Sequence, residues 1–265
     1  MPWVRVDGTD LHVAIHGPPA VGVPTVLFLH GLGSCADDWA AQVPLFSERF
    51  RVVAPDLRGH GRSARGPGRL GVARFAADVS RVLATLGERR VHVVGLSLGG
   101  CVGLELALSE PHLVRSLTLT NTFAKLAPDG PRGALRMAQR LALLCLAPMP
   151  VVAAHVARGL FPKPEQAALY RAAVARLGAN PRRTYLASIA ALAAFDVRTR
   201  LAAVRCPTLV VVGDRDRTVP RAAAGVLGGI PGARVLVVPD SGHATPYDQP
   251  DRFNGAVLDF LASVD

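Results

Sequence analysis

Short apolar runs alternate with segments of helical period along most of this 265-residue chain. The runs Thr25–Leu29 and Thr208–Val212 are almost wholly apolar, as strands buried on both faces require. Trp3–Val6 and Leu11–His16, split by Asp7-Gly8-Thr9, predict an opening hairpin. Further strands are expected at Arg51–Ala54, from Val91 towards Gly95, at Ser116–Thr120 and at Arg234–Val238. Between them, Val72, Phe75, Ala76, Val79, Val82, Leu83 and Leu86 recur at helical spacing, and Gly87 closes that helix. Helices are also expected at Trp39–Phe46, Cys101–Leu108, Arg221–Leu227 and Phe253–Leu261.

Strands alternating with helices at this pitch imply right-handed crossovers and an α/β fold, a mostly parallel central sheet flanked by helices. The rhythm breaks after Asn121. From Ala124 to Ala194 the chain is rich in Ala, Leu and Arg, punctuated by seven prolines from Pro128 to Pro181, and carries no strand-like run. It reads as a helical cap over residues 124–195, inserted between core halves 1–123 and 196–265 of one catalytic domain. Arg65-Gly66-Pro67-Gly68 is expected to be a mobile surface loop.

Composition narrows the classes. The net charge is +10, carried almost wholly by arginine, with lysine only at Lys125 and Lys163. No long basic run or aromatic-interleaved stretch accompanies it, so nucleic acid is not an expected partner, and a preference for small anionic substrates is the simpler reading. Cys35, Cys101, Cys145 and Cys206 show no metal spacing and fit a reduced interior. The start of the chain lacks the charged and apolar regions of a signal peptide, and Leu141–Ala154 is too interrupted to span a bilayer. The expectation is a cytoplasmic protein with no membrane partner and no cofactor or metal, monomeric or a small homo-oligomer.

The candidate chemistry starts at Gly95-Leu96-Ser97-Leu98-Gly99-Gly100, between a β-branched run and an apolar helix. Gly-x-Ser-x-Gly in that setting marks a sharp turn that exposes a serine nucleophile, with glycines where a side chain would clash. A serine hydroxyl needs a base and a third group that orients the base. His243, directly after the last strand, is the base candidate. In Gly213-Asp214-Arg215-Asp216, loop position favours Asp216 over Asp214, and Asp240 reads as a turn former. Loops at the carboxyl ends of parallel strands converge on one crevice, which would gather Ser97, Asp216 and His243. Two backbone N–H groups are needed for the oxyanion, expected from Leu98 at the helix start and Leu32 after the Thr25–Leu29 strand. His30 is read as a loop histidine, not the base; with Gly31 it shapes that loop, and His30, Gly31, Asn121, Arg140 and Arg158 are the candidate substrate-contacting residues.

Five motifs in order give the chain a resemblance. They are His30-Gly31-Leu32-Gly33 with Trp39, Asp56-Leu57-Arg58-Gly59-His60-Gly61-Arg62-Ser63, Gly95–Gly100, Gly213-Asp214-Arg215-Asp216 with Val219-Pro220, and Gly242-His243. With these the chain resembles the α/β-hydrolase superfamily over its whole length. The resemblance places the acid on Asp216, the base on His243 and an oxyanion donor on Leu32, and it implies a fold with an inserted helical cap. Leu117–Thr122 before a small helical cap looks like the 3-oxoadipate enol-lactonases and related small esterases. That likeness implies an arginine for a substrate carboxylate, with Arg140, Arg158 and Arg183 as candidates. Serine at the elbow argues against the dehalogenases and epoxide hydrolases that use a carboxylate. The expected activity is hydrolysis of small carboxylic esters or lactones. Perhydrolase, carbon–carbon bond or thioester hydrolase activity on the same three residues is the alternative, and a ligand receptor on a hydrolase scaffold is the non-enzymatic one.

Overall fold

The computed structural model describes residues 2–19, 22–126 and 130–264. Eight strands form one sheet in the order β1-β2-β4-β3-β5-β6-β7-β8. The hairpin β1 (Trp3–Val6) and β2 (Thr9–His16) is antiparallel, and β2 pairs antiparallel with β4 (Arg51–Pro55). From β4 onward every pairing is parallel, through β3 (Thr25–Leu29), β5 (Val91–Leu96), β6 (Val114–Thr120), β7 (Thr208–Gly213) and β8 (Arg234–Val238). All residues of β3, β5 and β7 are buried, which explains the almost wholly apolar sequence of β3 and β7.

The helices are α1 (Val43–Ser47), α2 (Val72–Leu86), α3 (Leu98–Ser109), α4 (Gly130–Leu146), α5 (Met149–Leu160), α6 (Ala167–Gly178), α7 (Arg182–Ala194), α8 (Arg221–Leu227), α9 (Thr245–Asp248) and α10 (Pro250–Ala262). One core packs α2 and α3 on the sheet, through residues such as Phe75, Val79, Leu104 and Leu117. The other face packs Trp39, Phe46, Phe253 and Phe260 against Phe28 and Val94. The single helix expected over Trp39–Phe46 is instead a 3-10 turn, Ala36–Trp39, followed by α1. Pro44 sits in the first turn of α1, where its missing N–H costs nothing, and it cannot continue a helix arriving from Trp39. Arg65, Pro67 and Gly68 are exposed, as expected of a surface loop, and the residue before them is tied down. The Ala64 N–H donates to Asp10 O at 3.1 Å, and Ala64 O accepts from Gly59 N–H at 3.0 Å.

Register decides where the loops emerge. Leu29 lies beside Gly95, Leu96 beside Thr120, Thr120 beside Val211 and Gly213 beside Val238. The carboxyl ends of β3, β5, β6, β7 and β8 therefore finish along one edge. The strand order reverses between β3 and β5, the switch point at which loops diverge and leave a crevice. Helices α4 to α7 lie between β6 and β7 in sequence and build their own cluster from Leu144, Val152, Ala153, Leu177 and Tyr185. Leu32 packs against both that cluster and the main core, so these helices meet the sheet at the β3 loop.

Candidate active site

Ser97 stands between β5 and α3 with φ +54° and ψ −111°, a conformation that L-residues seldom adopt. The strain is held from several sides. The Ser97 N–H donates to Thr120 O at 2.9 Å, while Ser97 O accepts from Cys101 N–H at 3.1 Å and from Thr122 Oγ1 at 2.7 Å. The glycines follow from this geometry. A Cβ on Gly99 would lie 2.0 Å from Leu29 O, and one on Gly95 would lie 2.4 Å from Gly99 O. The strand-to-helix turn can close this tightly only without those side chains.

His243 and Asp216 come together from separate loops. The His243 Nδ1 lies 2.8 Å from Asp216 Oδ2, and the Asp216 side chain is fully buried. Asp216 Oδ1 accepts the N–H of Thr218 at 2.7 Å and of Val219 at 3.0 Å. A carboxylate in this position can only accept. The proton between the two therefore sits on Nδ1, which leaves Nε2 as the basic nitrogen. Asp214 is placed differently. Its Oδ1 accepts Ser241 N–H at 3.2 Å, which staples the β7 loop to the turn after β8.

Asn121 joins these parts. Its Nδ2 donates to His243 O at 2.7 Å and to Thr245 Oγ1 at 2.7 Å, and its Oδ1 accepts Gly213 N–H at 2.8 Å. Thr120, one residue earlier, accepts the Ser97 N–H. The end of β6 thus sets the elbow, the acid loop and the histidine loop relative to one another. Beside the elbow, a Cβ on Gly31 would come within 3.8 Å of Ser97 Cβ, so the β3 loop carrying Leu32 lies against it. Leu98 opens α3, where the first N–H groups have no partner within the helix and the helix dipole is positive. Such an arrangement can accept a proton from a hydroxyl and face developing negative charge with backbone donors.

A family model described as the alpha/beta hydrolase fold matches residues 24–250. The chain belongs to that family. It is a hydrolase in that sense, with a mostly parallel eight-stranded sheet between helices. It is 35% identical to a protein of Azorhizobium caulinodans named "Putative carbamate hydrolase RutD", with both chains covered completely. A protein of the same name from Variovorax paradoxus is 38% identical, covering 96% of this chain and 97% of that one. Among solved structures, the enol-lactonase from Burkholderia xenovorans superposes with a TM-score of 0.91 at 27% identity, over 98% of this chain and all of that one.

Two residues of this hydrolase depart from the sequence expectation. His30 and Asn121, expected to contact substrate, direct their polar atoms to the protein. The His30 ring bonds Gly31 O at 2.8 Å and accepts Leu57 N–H at 2.9 Å, and Asn121 is bonded as above. Both are almost wholly buried, and they position loops instead. Arg158 is exposed on α5 and Arg183 on α7, whereas the side chain of Arg140 lies outside the described residues.

The Asp56–Ser63 motif also gains a physical role. Asp56 is fully buried and accepts Ala36 N–H at 2.6 Å and Arg62 N–H at 2.9 Å, which fixes the return of the β3 loop. Arg58, equally buried, forks onto Asp78 at 2.6 and 2.7 Å.

Sequence reasoning missed the ties from the inserted helices. Gln166 Nε2 donates to Asp248 Oδ1 at 2.8 Å, and Asp248 Oδ2 accepts Gly242 N–H at 2.6 Å, next to His243. Burial pushes the Asp248 carboxyl above its ordinary range. On the other side of the crevice, Arg176 of α6 pairs with Asp38, and Asn180 Nδ2 donates to Gly33 O at 2.8 Å. Burial pushes Asp38 up to about 6 against the pull of Arg176. Among the described residues no group of His, Cys, Asp and Glu could hold a metal ion.

Proposed function

We propose that this hydrolase cleaves small carboxylic esters or lactones through an acyl-enzyme on Ser97. The observation that carries the reading is the 2.8 Å contact between His243 Nδ1 and a triply bonded Asp216, anchored to the same strand end as the strained Ser97. Ser97 Oγ attacks the carbonyl carbon while its proton passes to His243 Nε2. The negative oxygen rests on the N–H groups of Leu32 and Leu98. Collapse breaks the bond to the leaving oxygen, which takes the proton from His243. Water then attacks the acyl-enzyme, again giving a proton to His243, and the acid departs as Ser97 regains its hydrogen. With a lactone the leaving hydroxyl stays tethered, so one hydroxy acid is released. Asp216 keeps the imidazole in the required tautomer and stabilises the imidazolium without itself taking the proton.

The full-length likeness to RutD proteins supports a second reading, a carbamate as substrate, with the same serine attacking the carbamate carbonyl. A fluorophosphonate probe followed by peptide mass analysis tests the shared step, with the label expected on Ser97. A panel of short esters, lactones and carbamates, each with and without a carboxylate, separates the readings by kcat/KM. Turnover of carbamates alone would discard the ester and lactone assignment. Absence of label on Ser97 in a protein that turns over an ester would discard the nucleophile.

A further inference from the structure

Helix α4 turns an apolar face to solvent. Leu135, Ala138, Leu141, Ala142, Cys145 and Leu146 fall within an arc of about 140° at 3.6 residues per turn, and all six are exposed. Leu135 is 59% exposed, Leu141 50% and Leu146 84%, far from what leucine adopts in a packed helix. On the inner side, Leu144 joins the cluster that touches Leu32.

Charge says what covers this face. Residues 124–195 hold ten lysines and arginines against two acids, so most of the net charge of +10 sits in about a quarter of the chain. Lys125, Lys163 and Arg176 are paired with acids from the flanking halves, whereas Arg132, Arg158, Arg171 and Arg183 are exposed. A two-fold contact between copies would set this patch against itself and bring two strongly cationic surfaces together. An apolar helix face on an insertion with this surplus of arginine, Arg132 exposed on α4 itself, fits a surface that offers both acyl chains and negative headgroups.

We propose that α4 and the exposed arginines of the same insertion dock this hydrolase onto anionic lipid bilayers, lying in the headgroup region without crossing it. This revises the expectation of no membrane partner, which rested on the lack of a spanning segment; among the described residues no helix is long and apolar enough to cross a membrane. The docking is independent of the chemistry proposed for Ser97.

The test is co-sedimentation of the full chain with phosphatidylcholine vesicles, with and without phosphatidylglycerol. Binding is expected to the anionic vesicles, to fall steeply in high salt, and to be weak on phosphatidylcholine alone. The pair Leu135→Glu and Leu141→Glu should weaken it by at least about tenfold, since each leucine loses its burial in the acyl boundary. Should that double variant misfold by circular dichroism, Leu146→Glu at the most exposed position supplies the same comparison. Ser97→Ala should bind vesicles as the wild type does, so loss of catalysis and loss of docking are read separately. Failure to sediment with anionic vesicles would overturn the proposal. Equal binding to both lipid compositions would overturn the role of charge. A dimer in analytical ultracentrifugation that dissociates on Leu141→Glu would assign the face to a second copy instead.

Discussion

In the sheet, β3, β5 and β7 leave no residue exposed, whereas α4, among the side chains described, buries only Gly133 and Leu144 fully. The two regions differ in chemistry as much as in packing. The strand ends hold Ser97, Asn121, Asp216 and His243 through backbone-directed hydrogen bonds at 2.7 to 3.0 Å. The inserted helices meet the core through Leu32, Ala191 and Leu192 and a few polar points, and they carry most of the surplus positive charge. Rigid geometry and adaptable surface are thus separated along the chain, with α4 to α7 able to vary in sequence while the loops beneath stay fixed.

The sharpest break would come from the strand ends. Ser97→Ala should lower ester turnover by about 10⁴-fold or more with the fold retained, and Asp216→Asn by about 10³- to 10⁴-fold, because an amide no longer fixes the imidazole tautomer. Asp214→Asn, which touches only the turn at Ser241, should cost less than about tenfold. Steady-state kinetics on an aryl ester checks all three. Equal losses for the two aspartate variants would remove Asp216 from the role proposed for it.

Glycine substitutions draw the same contrast in stability. Gly99→Ala forces a Cβ to within 2.0 Å of Leu29 O, with backbone on both sides, and should destabilise by about 3 kcal/mol or more. Gly159→Ala in α5 meets open space and should stabilise by about 0.5 kcal/mol through helix propensity and a less flexible unfolded chain. Urea midpoints at constant m-value measure both. A destabilised Gly159→Ala would mean that α5 is packed more tightly than its surroundings indicate.

Much of this was legible beforehand, and the boundary is physical. Strands such as Thr25–Leu29 and the helix Val72–Leu86 announce themselves because a local period suffices to define them. Ser97 was legible because its strain demands glycine at fixed offsets. Asn121 was not. Its role depends on partners more than ninety residues away, and a polar residue after a strand looks alike whether it faces substrate or a neighbouring loop. Gln166 and Asp248 were hidden for the same reason. The Leu and Ala pattern of α4 gave a helix but not the side that faces solvent, since periodicity defines a face without saying what it meets.

The regions also oppose each other in pH. Burial pushes His60, behind the β3 loop, down to about 3, with the neighbouring His30 ring adding to it. Unfolded, the ring would take a proton near 6.5, so its stabilising effect is complete above that pH and is lost as pH falls toward 3. At pH 5 the loss should approach about 2 kcal/mol, or 1.36 kcal/mol per pH unit below 6.5. Asp38, at the contact with α6, has the reverse sign. Its folded-state pKa of about 6 exceeds the unfolded value, so the folded form takes up a proton first, and stability is gained as pH falls from 6 toward 4. Urea titrations at pH 7 and pH 5 should show a flatter pH dependence for His60→Asn and a steeper acid loss for Asp38→Asn. Identical pH dependence in all three proteins would remove both groups from the balance.

The smallest effect tests where the regions join. Gln166→Ala removes one hydrogen bond from a half-buried carboxylate and should cost about 1 kcal/mol of stability. Because that carboxylate also accepts the N–H of Gly242, the change reaches the backbone beside His243. Ester turnover should fall a few-fold in kcat with little change in KM, since the change acts through the Gly242 backbone on His243. Asp248→Asn should act through the same link, so the double variant should lose less than the sum of the single ones. If the two losses add, the inserted helices rest on the histidine loop without governing it, and the separation between rigid strand ends and adaptable cover is more complete than the Gln166–Asp248 bond implies.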